Sequence, residues 1–175
     1  MSQSNLKANP TAQYFGSPAE SALLSVITPI FNGAEYLADT LKSLLASDYQ
    51  NIEFIVIDDG STDGSAEIAE SLLAEGGRPY KLIRKSNTGE ADSDNLGLAL
   101  SSGDYIAIVN CDDPVFSNLF STSIEVLANN PSTVVTYPDW DMIDENGRKI
   151  RTVIVPEYSI DSLLGDGVCL PGPGA

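Results

Sequence analysis

The sequence predicts an α/β domain, a mostly parallel sheet with helices on both faces. Three observations carry that expectation. Strand-like and helix-like segments alternate four times with short connections. The strand-like segments are almost wholly apolar, Ile52 to Ile57 most clearly, as befits strands buried on both faces. The residues just past the strand ends are polar or acidic, and ligands bind at those ends in such sheets.

Residues 1–22 are polar and aperiodic, with Pro10, Gly16 and Pro18, and read as a disordered leader or linker. Residues 23–175 form the domain. Leu23 to Ile27 is a short run of β-formers stopped by Pro29, a first buried strand. Phe31-Asn32-Gly33 turns the chain. Leu37, Leu41, Leu44 and Leu45 then recur at helical spacing, giving an amphipathic helix from about Ala34 to Ala46. Ile52 to Ile57 is the second strand. Ser61, Thr62 and Asp63 are good N-caps for a helix carrying Ala66, Ile68, Ala69, Leu72 and Leu73, which Gly76-Gly77 ends. Tyr80 to Arg84 is a third strand, Asn87-Thr88-Gly89 a turn, and Glu90 to Ser101 a weaker helix. Gly103 leads into a fourth strand from Tyr105. Phe116, Phe120, Ile124 and Leu127 mark a fourth helix, ended by Asn129-Asn130-Pro131. Thr133 to Tyr137 is expected as a fifth strand, and Asp144-Glu145-Asn146-Gly147 as a hairpin turn.

The fourth strand runs straight into Asn110-Cys111-Asp112-Asp113 and then Pro114. Two adjacent carboxylates repel and cost free energy unless a cation sits beside them. Hard oxygen ligands suit a divalent ion, which commonly meets a protein while bridging phosphates. Asp-Asp-Pro also makes a good strand-to-helix connector and cap.

Composition narrows the chemistry. Nine Lys plus Arg against 25 Asp plus Glu give a net charge of −16, which argues against nucleic acid or an anionic membrane surface as partner. A phosphate-bearing ligand would need a metal ion, helix N-termini, or the few cations available, such as Arg84 and Lys85. The chain has no histidine, so neither Ser-His-Asp nor Cys-His catalysis can arise within it. Cys111 and Cys169 make no disulfide framework and lack metal spacing, and a reducing cytoplasm is the simpler setting. No apolar run is long enough to cross a bilayer, and no signal peptide is visible.

The first turn, Pro29-Ile30-Phe31-Asn32-Gly33, lacks the glycine fingerprint that cradles a pyrophosphate, and no Walker lysine motif occurs. Phosphates are therefore expected near the acidic pair of the fourth strand. Phe31 could stack on a base and Asp59 accept its N–H, although burial statistics favour a core aromatic for Phe31. Of Asp58 and Asp59, one is expected to cap the following helix and the other to meet a ligand.

Four stretches, in order, carry a resemblance: Ser25 to Asn32; Val56 to Asp63, reading Val-Ile-Asp-Asp-Gly-Ser-Thr-Asp; Gly89 to Gly97; and Gly103 to Ile106 followed by Asn110 to Asp113. From about Leu23 onward the chain resembles family 2 glycosyltransferases of the GT-A fold. The resemblance implies transfer of a sugar from a nucleotide diphosphate donor, with UDP the family default, usually with inversion and with Mg²⁺ or Mn²⁺. It implies that Thr28, Pro29, Phe31 and Glu35 line the base pocket and that Asp59 binds the base. Asn95 and Gly97 would lie near the donor sugar or diphosphate. Asn110 takes the first position of the D-x-D-type motif, a ribose contact, and Asp112 is its metal-binding carboxylate, with Asp113 beside it. The acceptor is an unspecified glycan, lipid or protein.

The chain departs from the pattern at Asn110 and at Ser93-Asp94-Asn95, where many members carry Ala-Arg-Asn. The family's catalytic base follows a Pro-Gly-Pro-Gly-Ala-like segment, and this chain stops at that segment, Pro171 to Ala175. A fold truncated at the C-terminus, a missing acceptor half and self-association through the edge left open are therefore expected. Asp139, Asp141 and Asp144 are the nearby carboxylates, and a solvated turn is the preferred reading for each. Polysaccharide biosynthesis in the cytoplasm, or at the inner face of the membrane, is the expected setting. A nucleotide-sugar-binding or assembly module without turnover is the alternative. A phospho-acceptor signalling domain is disfavoured, because no lysine follows Thr136-Tyr137-Pro138-Asp139 and the first acidic pair follows the second strand rather than the first.

Overall fold

A computed structural model describes residues 22–144 and 147–155. The expected leader and the terminal Pro-Gly-Pro-Gly-Ala segment lie outside the described residues. Among the described residues ten elements follow one another, strand and helix alternating as far as β5: β1 (Leu24–Ile30), α1 (Leu37–Leu45), β2 (Ile52–Asp58), α2 (Ser65–Gly76), β3 (Tyr80–Arg84), α3 (Glu90–Leu100), β4 (Tyr105–Ile108), α4 (Leu119–Asn129), β5 (Trp140–Ile143) and β6 (Lys149–Val153).

The first four strands form a parallel sheet in the order β3-β2-β1-β4. The chain steps outward from β1 to β2 to β3, then crosses back through α3 to place β4 on the other side of β1. The order thus reverses between β1 and β4, and the carboxyl ends there open a crevice. Helices cover both faces. Val26, Ile30, Phe54 and Val56 pack with α1, α2 and α4 through Leu37, Leu41, Leu44, Leu73, Phe120 and Ile124. Ile27, Ile55 and Ile57 face the other way, onto Leu96 and Leu100 of α3. The strict alternation of side chains along a strand splits one apolar run between two cores in this way. Gly97 lets α3 lie close on β1: a Cβ there would collide with Ile27 Cγ2 and sit 3.2 Å from its Cγ1.

A polar clamp closes the amino end of the sheet. Glu53 of β2 accepts hydrogen bonds from Ser25 Oγ (2.7 Å), Ser102 N (2.7 Å) and Lys81 Nζ (3.0 Å). Ser25 Oγ in turn accepts from Gly103 N at 2.9 Å. The clamp holds β1, β2, β3 and the α3–β4 connection together, and so fixes the register from which β4 starts.

Three expectations need correction. β1 does not stop before Pro29 but runs to Ile30. Ile27 O accepts from Val109 N and Ile30 O from Asp59 N, so alternate residues Ile27 and Pro29 turn their backbone toward β4. The β4 pairing ends at Ile108 opposite Ile27, so the N–H that proline lacks removes no ladder bond. The first helix begins at Leu37, after a turn in which Tyr36 N and Leu37 N both donate to Gly33 O. Finally, Thr133 to Tyr137 forms no strand. Val134 is 89% exposed, and β-branched residues make a strand only where a ladder partner and a packing face exist. The fifth strand is instead β5, which pairs antiparallel with β6 in a separate hairpin. Its turn closes as expected, with Asp144 N donating to Arg148 O and Gly147 N to Asp144 O, both at 2.9 Å; Glu145 and Asn146 lie outside the described residues.

Candidate functional site

The loops after β1 and β2 are laced together. Asn32 takes a left-handed backbone (φ 50°), which asparagine tolerates, and its Oδ1 accepts from Thr62 N at 2.9 Å. Asn32 N donates to Ser61 Oγ, Gly33 N to Ser65 Oγ and Ala34 N to Asp63 Oδ2, each at 3.0 Å. Asp63 Oδ1 also accepts from Ser65 N and Ser65 Oγ. The Ser65 hydroxyl and the Ala34 N–H hold the Asp63 carboxyl below its ordinary value. Asp58 caps the turn, its Oδ1 accepting from Ser61 N at 3.1 Å. Asp58 therefore caps this turn and not α2, which starts at Ser65 behind Gly64 with no side-chain cap, while Asp59 borders a cleft.

That cleft, about 490 Å³, lies at the carboxyl ends of β1, β2 and β4. It is bordered by Pro29 and Phe31 from β1 and its loop, Asp59 after β2, Asn87 and Gly89 after β3, Glu90 and Ser93 of α3, and Asn110 and Asp112 after β4. Asp59 and Asp112, from separate strands, therefore face one cavity. Phe31 is 52% exposed. This corrects the core reading: the aromatic emerges past the strand end, where no helix covers it, and forms one wall. Gly33 allows the β1 and β4 loops to touch, since a Cβ there would lie 2.7 Å from Cys111 Sγ.

Asp59 is buried, 3% exposed. Its Oδ1 accepts from Lys85 Nζ and, at 2.9 Å, from Thr88 N; its Oδ2 accepts from Gly89 N at 2.8 Å. Burial opposes ionisation, but the Lys85 ammonium and the two backbone N–H groups outweigh it and hold the carboxyl below its ordinary value. Lys85 also lies 3.3 Å from Asp92 Oδ2 and donates to Thr88 Oγ1. Arg84, one residue earlier and so on the opposite face of β3, pairs with Glu67 and Glu70 of α2 at 2.9 Å. Neither cation expected to await a phosphate is free for one.

Asp112 is exposed and Asp113 half-buried. Neither forms an ion pair among the described residues. Burial and then the neighbouring Asp112 charge push the Asp113 carboxyl above its ordinary value, against a hydrogen bond with Asn110. No group of three or more candidate ligands occurs among the described residues. Asp112 borders the cleft that holds Asp59, whereas Asp113 borders only a neighbouring cleft with Phe116 and Trp140; carboxylates without a cationic partner suit a hard divalent ion that takes its remaining ligands from water or phosphate. Asp112 also borders two further clefts. One, about 610 Å³, holds Glu35, Tyr36, Asp39 and Asp144. The other, about 500 Å³, holds Phe116, Trp140, Met142 and Lys149.

Three of the residues expected in the base pocket or near the donor lie elsewhere. Thr28 is buried and shares its strand face with Val26 and Ile30, and its Oγ1 has no hydrogen-bond partner among the described residues. Glu35 borders the cleft beyond Asp112. Asn95 is exposed, two residues past Ser93 and therefore about 200° around the helix from the cleft. Glu90 and Ser93 border the cleft although no motif marks them, next to Asn87, a polar residue just past the end of β3. Their signal was position: all belong to the segment joining β3 to the first turn of α3, at the same sheet edge. The three carboxylates near the hairpin hold it together. Asp139 accepts from Val155 N, Asp141 from Lys149 Nζ and Thr152 Oγ1, and Asp144 from Arg148 N.

With this geometry established, similarity to known proteins has a definite meaning. The profile of "Glycosyl transferase family 2" matches residues 25–165. The chain belongs to that family. The pneumococcal protein "Glycosyltransferase GlyG" (Streptococcus pneumoniae serotype 4) is 37% identical over 128 residues, 72% of this chain and 42% of the relative. The Escherichia coli K12 "Uncharacterized glycosyltransferase YibD" is 35% identical over 151 residues, 86% of this chain and 42% of the relative. The chain spans about half or less of the length of these relatives. Among solved structures, S. aureus TarS in complex with UDP-GlcNAc superposes with a TM-score of 0.58 at 25% identity, over 62% of this chain and 32% of that one. A mannosyltransferase from Pyrobaculum calidifontis, in complex with GDP-Man and Mn²⁺, gives 0.57 at 24% identity, over 62% and 33%. These glycosyltransferases share the GT-A fold with this family 2 domain. No helix among the described residues is long and apolar enough to cross a membrane.

Proposed function

We propose that the domain binds a nucleotide-diphosphate sugar, with UDP as the nucleotide, and transfers the sugar with inversion to a hydroxyl of a glycan, lipid or protein. The observation that carries this reading is the shared cleft: Asp59 and Asp112 leave different strands and border one cavity at the switch between β1 and β4. Phe31 and Pro29 give the base an apolar wall, Asp59 accepts an N–H from the base edge, and Asn110 contacts the ribose. Asp112 and Asp113 are the residues that would hold Mg²⁺ or Mn²⁺. When bound, the ion supplies Lewis-acid neutralisation of the leaving diphosphate. The match to a TarS structure holding UDP-GlcNAc supports a donor of this class.

The chain's own contribution is placement. Lacing of the β1 and β2 loops fixes Phe31 relative to Asp59, and the Glu53 clamp fixes the start of β4. Deprotonation of an acceptor hydroxyl needs a base, and Asp139, Asp141 and Asp144 are engaged within the hairpin. Their engagement favours a second reading, a nucleotide-sugar-binding portion whose base and acceptor half lie elsewhere. We place the protein in the cytoplasm or at the inner face of the membrane, with copies joined through the open sheet edge in a homo-oligomer.

Calorimetric titration with UDP-sugars, with and without Mn²⁺, tests the first step, and a donor-hydrolysis assay tests turnover. Metal-dependent binding with slow hydrolysis supports the enzyme, and metal-dependent binding without hydrolysis supports the binding portion. Absence of binding to every nucleotide sugar rejects both.

A further inference from the structure

Lys85 is half-buried, and its ammonium is shared among Asp59, Thr88 and Asp92. It ties three parts of the fold: the end of β2, the β3–α3 loop and the first turn of α3. The same loop sends Thr88 N and Gly89 N to the Asp59 carboxylate. An ionised carboxylate offers about four acceptor positions and no donor. Two on Oδ1 and one on Oδ2 are filled, so among the described residues one position on Oδ2 remains.

We propose that Lys85 is a positioning and specificity residue, one that sets Asp59 to accept and never donate, so that the cleft takes a base edge carrying an N–H. The inference rests on the reading of Asp59 as the base contact. Uracil presents N3–H to such a carboxylate. Cytosine presents a bare N3 at the same place and would need a donor there. Without its ammonium, Asp59 would sit buried at the edge of a cleft carrying Glu90 and Asp112, with Asp58 beside it and Asp92 one turn into α3. Every one of those neighbours is acidic and burial adds to their effect, with only the Thr88 and Gly89 N–H groups left to oppose protonation. Asp59 would then take up a proton more readily and become a donor.

The test compares UDP with CDP, in Mn²⁺, across a pH series kept above the protonation of cytosine N3, for wild type, Lys85→Met and Lys85→Arg. The ratio of the two affinities cancels titration of the shared diphosphate. Wild type should hold a constant preference for UDP. In Lys85→Met the preference should fall by about tenfold for each pH unit below the raised midpoint of Asp59, the slope of a single protonation. Lys85→Arg should restore a constant preference. Carbon-13 NMR of the Asp59 carboxyl, without nucleotide, should show its midpoint raised in Lys85→Met and returned in Lys85→Arg. An equal loss of both nucleotides at every pH, with the NMR midpoint unmoved, would mean that Lys85 only orders the loop and would overturn the proposal. If the midpoint moves as expected while Asp59→Asn leaves UDP affinity intact, the base contact itself is wrong, and the specificity role falls with it.

Discussion

Glu53 is far from the cleft, yet the fold above makes it the residue whose loss should cost most per atom removed. Its carboxylate is 11% exposed and receives Ser25 Oγ, Ser102 N and Lys81 Nζ. Hydrogen bonds to a charged group contribute about 1.5–3 kcal/mol each, and a buried donor left unpaired costs about 1–3 kcal/mol. The Lys81 side chain is 39% exposed and keeps its bond to Leu100 O at 2.8 Å, so its share is discounted to below about 1 kcal/mol. Ser25 Oγ still accepts from Gly103 N, but its own O–H, on a residue 0% exposed, loses its acceptor and becomes the main orphan, whereas Ser102 is exposed and its N–H can turn to water. The contributions are not additive, and Glu53→Ala should destabilise by about 3–4 kcal/mol. At roughly 2–4 °C per kcal/mol for a chain of this size, Tm should fall by about 6–16 °C. Glu53→Gln, which keeps the shape and one acceptor, should cost about half as much. Urea unfolding followed by circular dichroism gives the numbers. A loss below about 1 kcal/mol for the alanine variant would refute the claim that this clamp holds the sheet's amino end.

Other outcomes follow from the same packing. Gly97→Ala forces a methyl against Ile27, so about 1–3 kcal/mol of overpacking should appear in the same unfolding assay, with α3 displaced from the sheet. Asp63→Ala unties Ala34 N and both Ser65 donors. It should weaken UDP binding severalfold while leaving Tm nearly unchanged, because the β1 loop carrying Phe31 loosens without loss of the sheet. Glu53 and Asp59 are both held below their ordinary values of 4.5 and 3.8. For each, burial pushes upward and the hydrogen-bond donors overcome it. Such groups add stability above the ordinary value and lose it as pH falls through the lowered one. Unfolding free energy contributed by this pair should be level near neutrality and fall only below the ordinary carboxylate range, and Glu53→Gln should flatten that fall.

The parallel sheet and most of its helices were legible because β1, β2 and β4 are apolar runs and α1, α2 and α4 keep apolar residues on one stripe, signals that survive without tertiary context. The acidic strand ends were legible for the same reason, since a carboxylate directly after a buried strand has few other places to go. What escaped depends on neighbours far away in sequence. Val134 and Val135 have strand propensity and no ladder partner. Phe31 has a typical core side chain but stands one residue past the covered part of β1. Arg84 and Lys85 differ by one position, and strand alternation sends one to α2 and the other to Asp59. Asn95 sits in the right motif but on the wrong side of α3, while Glu90 and Ser93 carry no motif weight and border the cleft.

The central claim is that two carboxylates from different strands serve two halves of one ligand. Affinity for uridine and for UDP, each with and without Mn²⁺, tests this in wild type, Asp59→Asn and Asp112→Asn. The account predicts that Asp59→Asn weakens uridine and UDP by similar factors with or without metal. It predicts that Asp112→Asn weakens only UDP, and only when Mn²⁺ is present. Equal behaviour of the two variants toward all four combinations, or indifference to both, would contradict it.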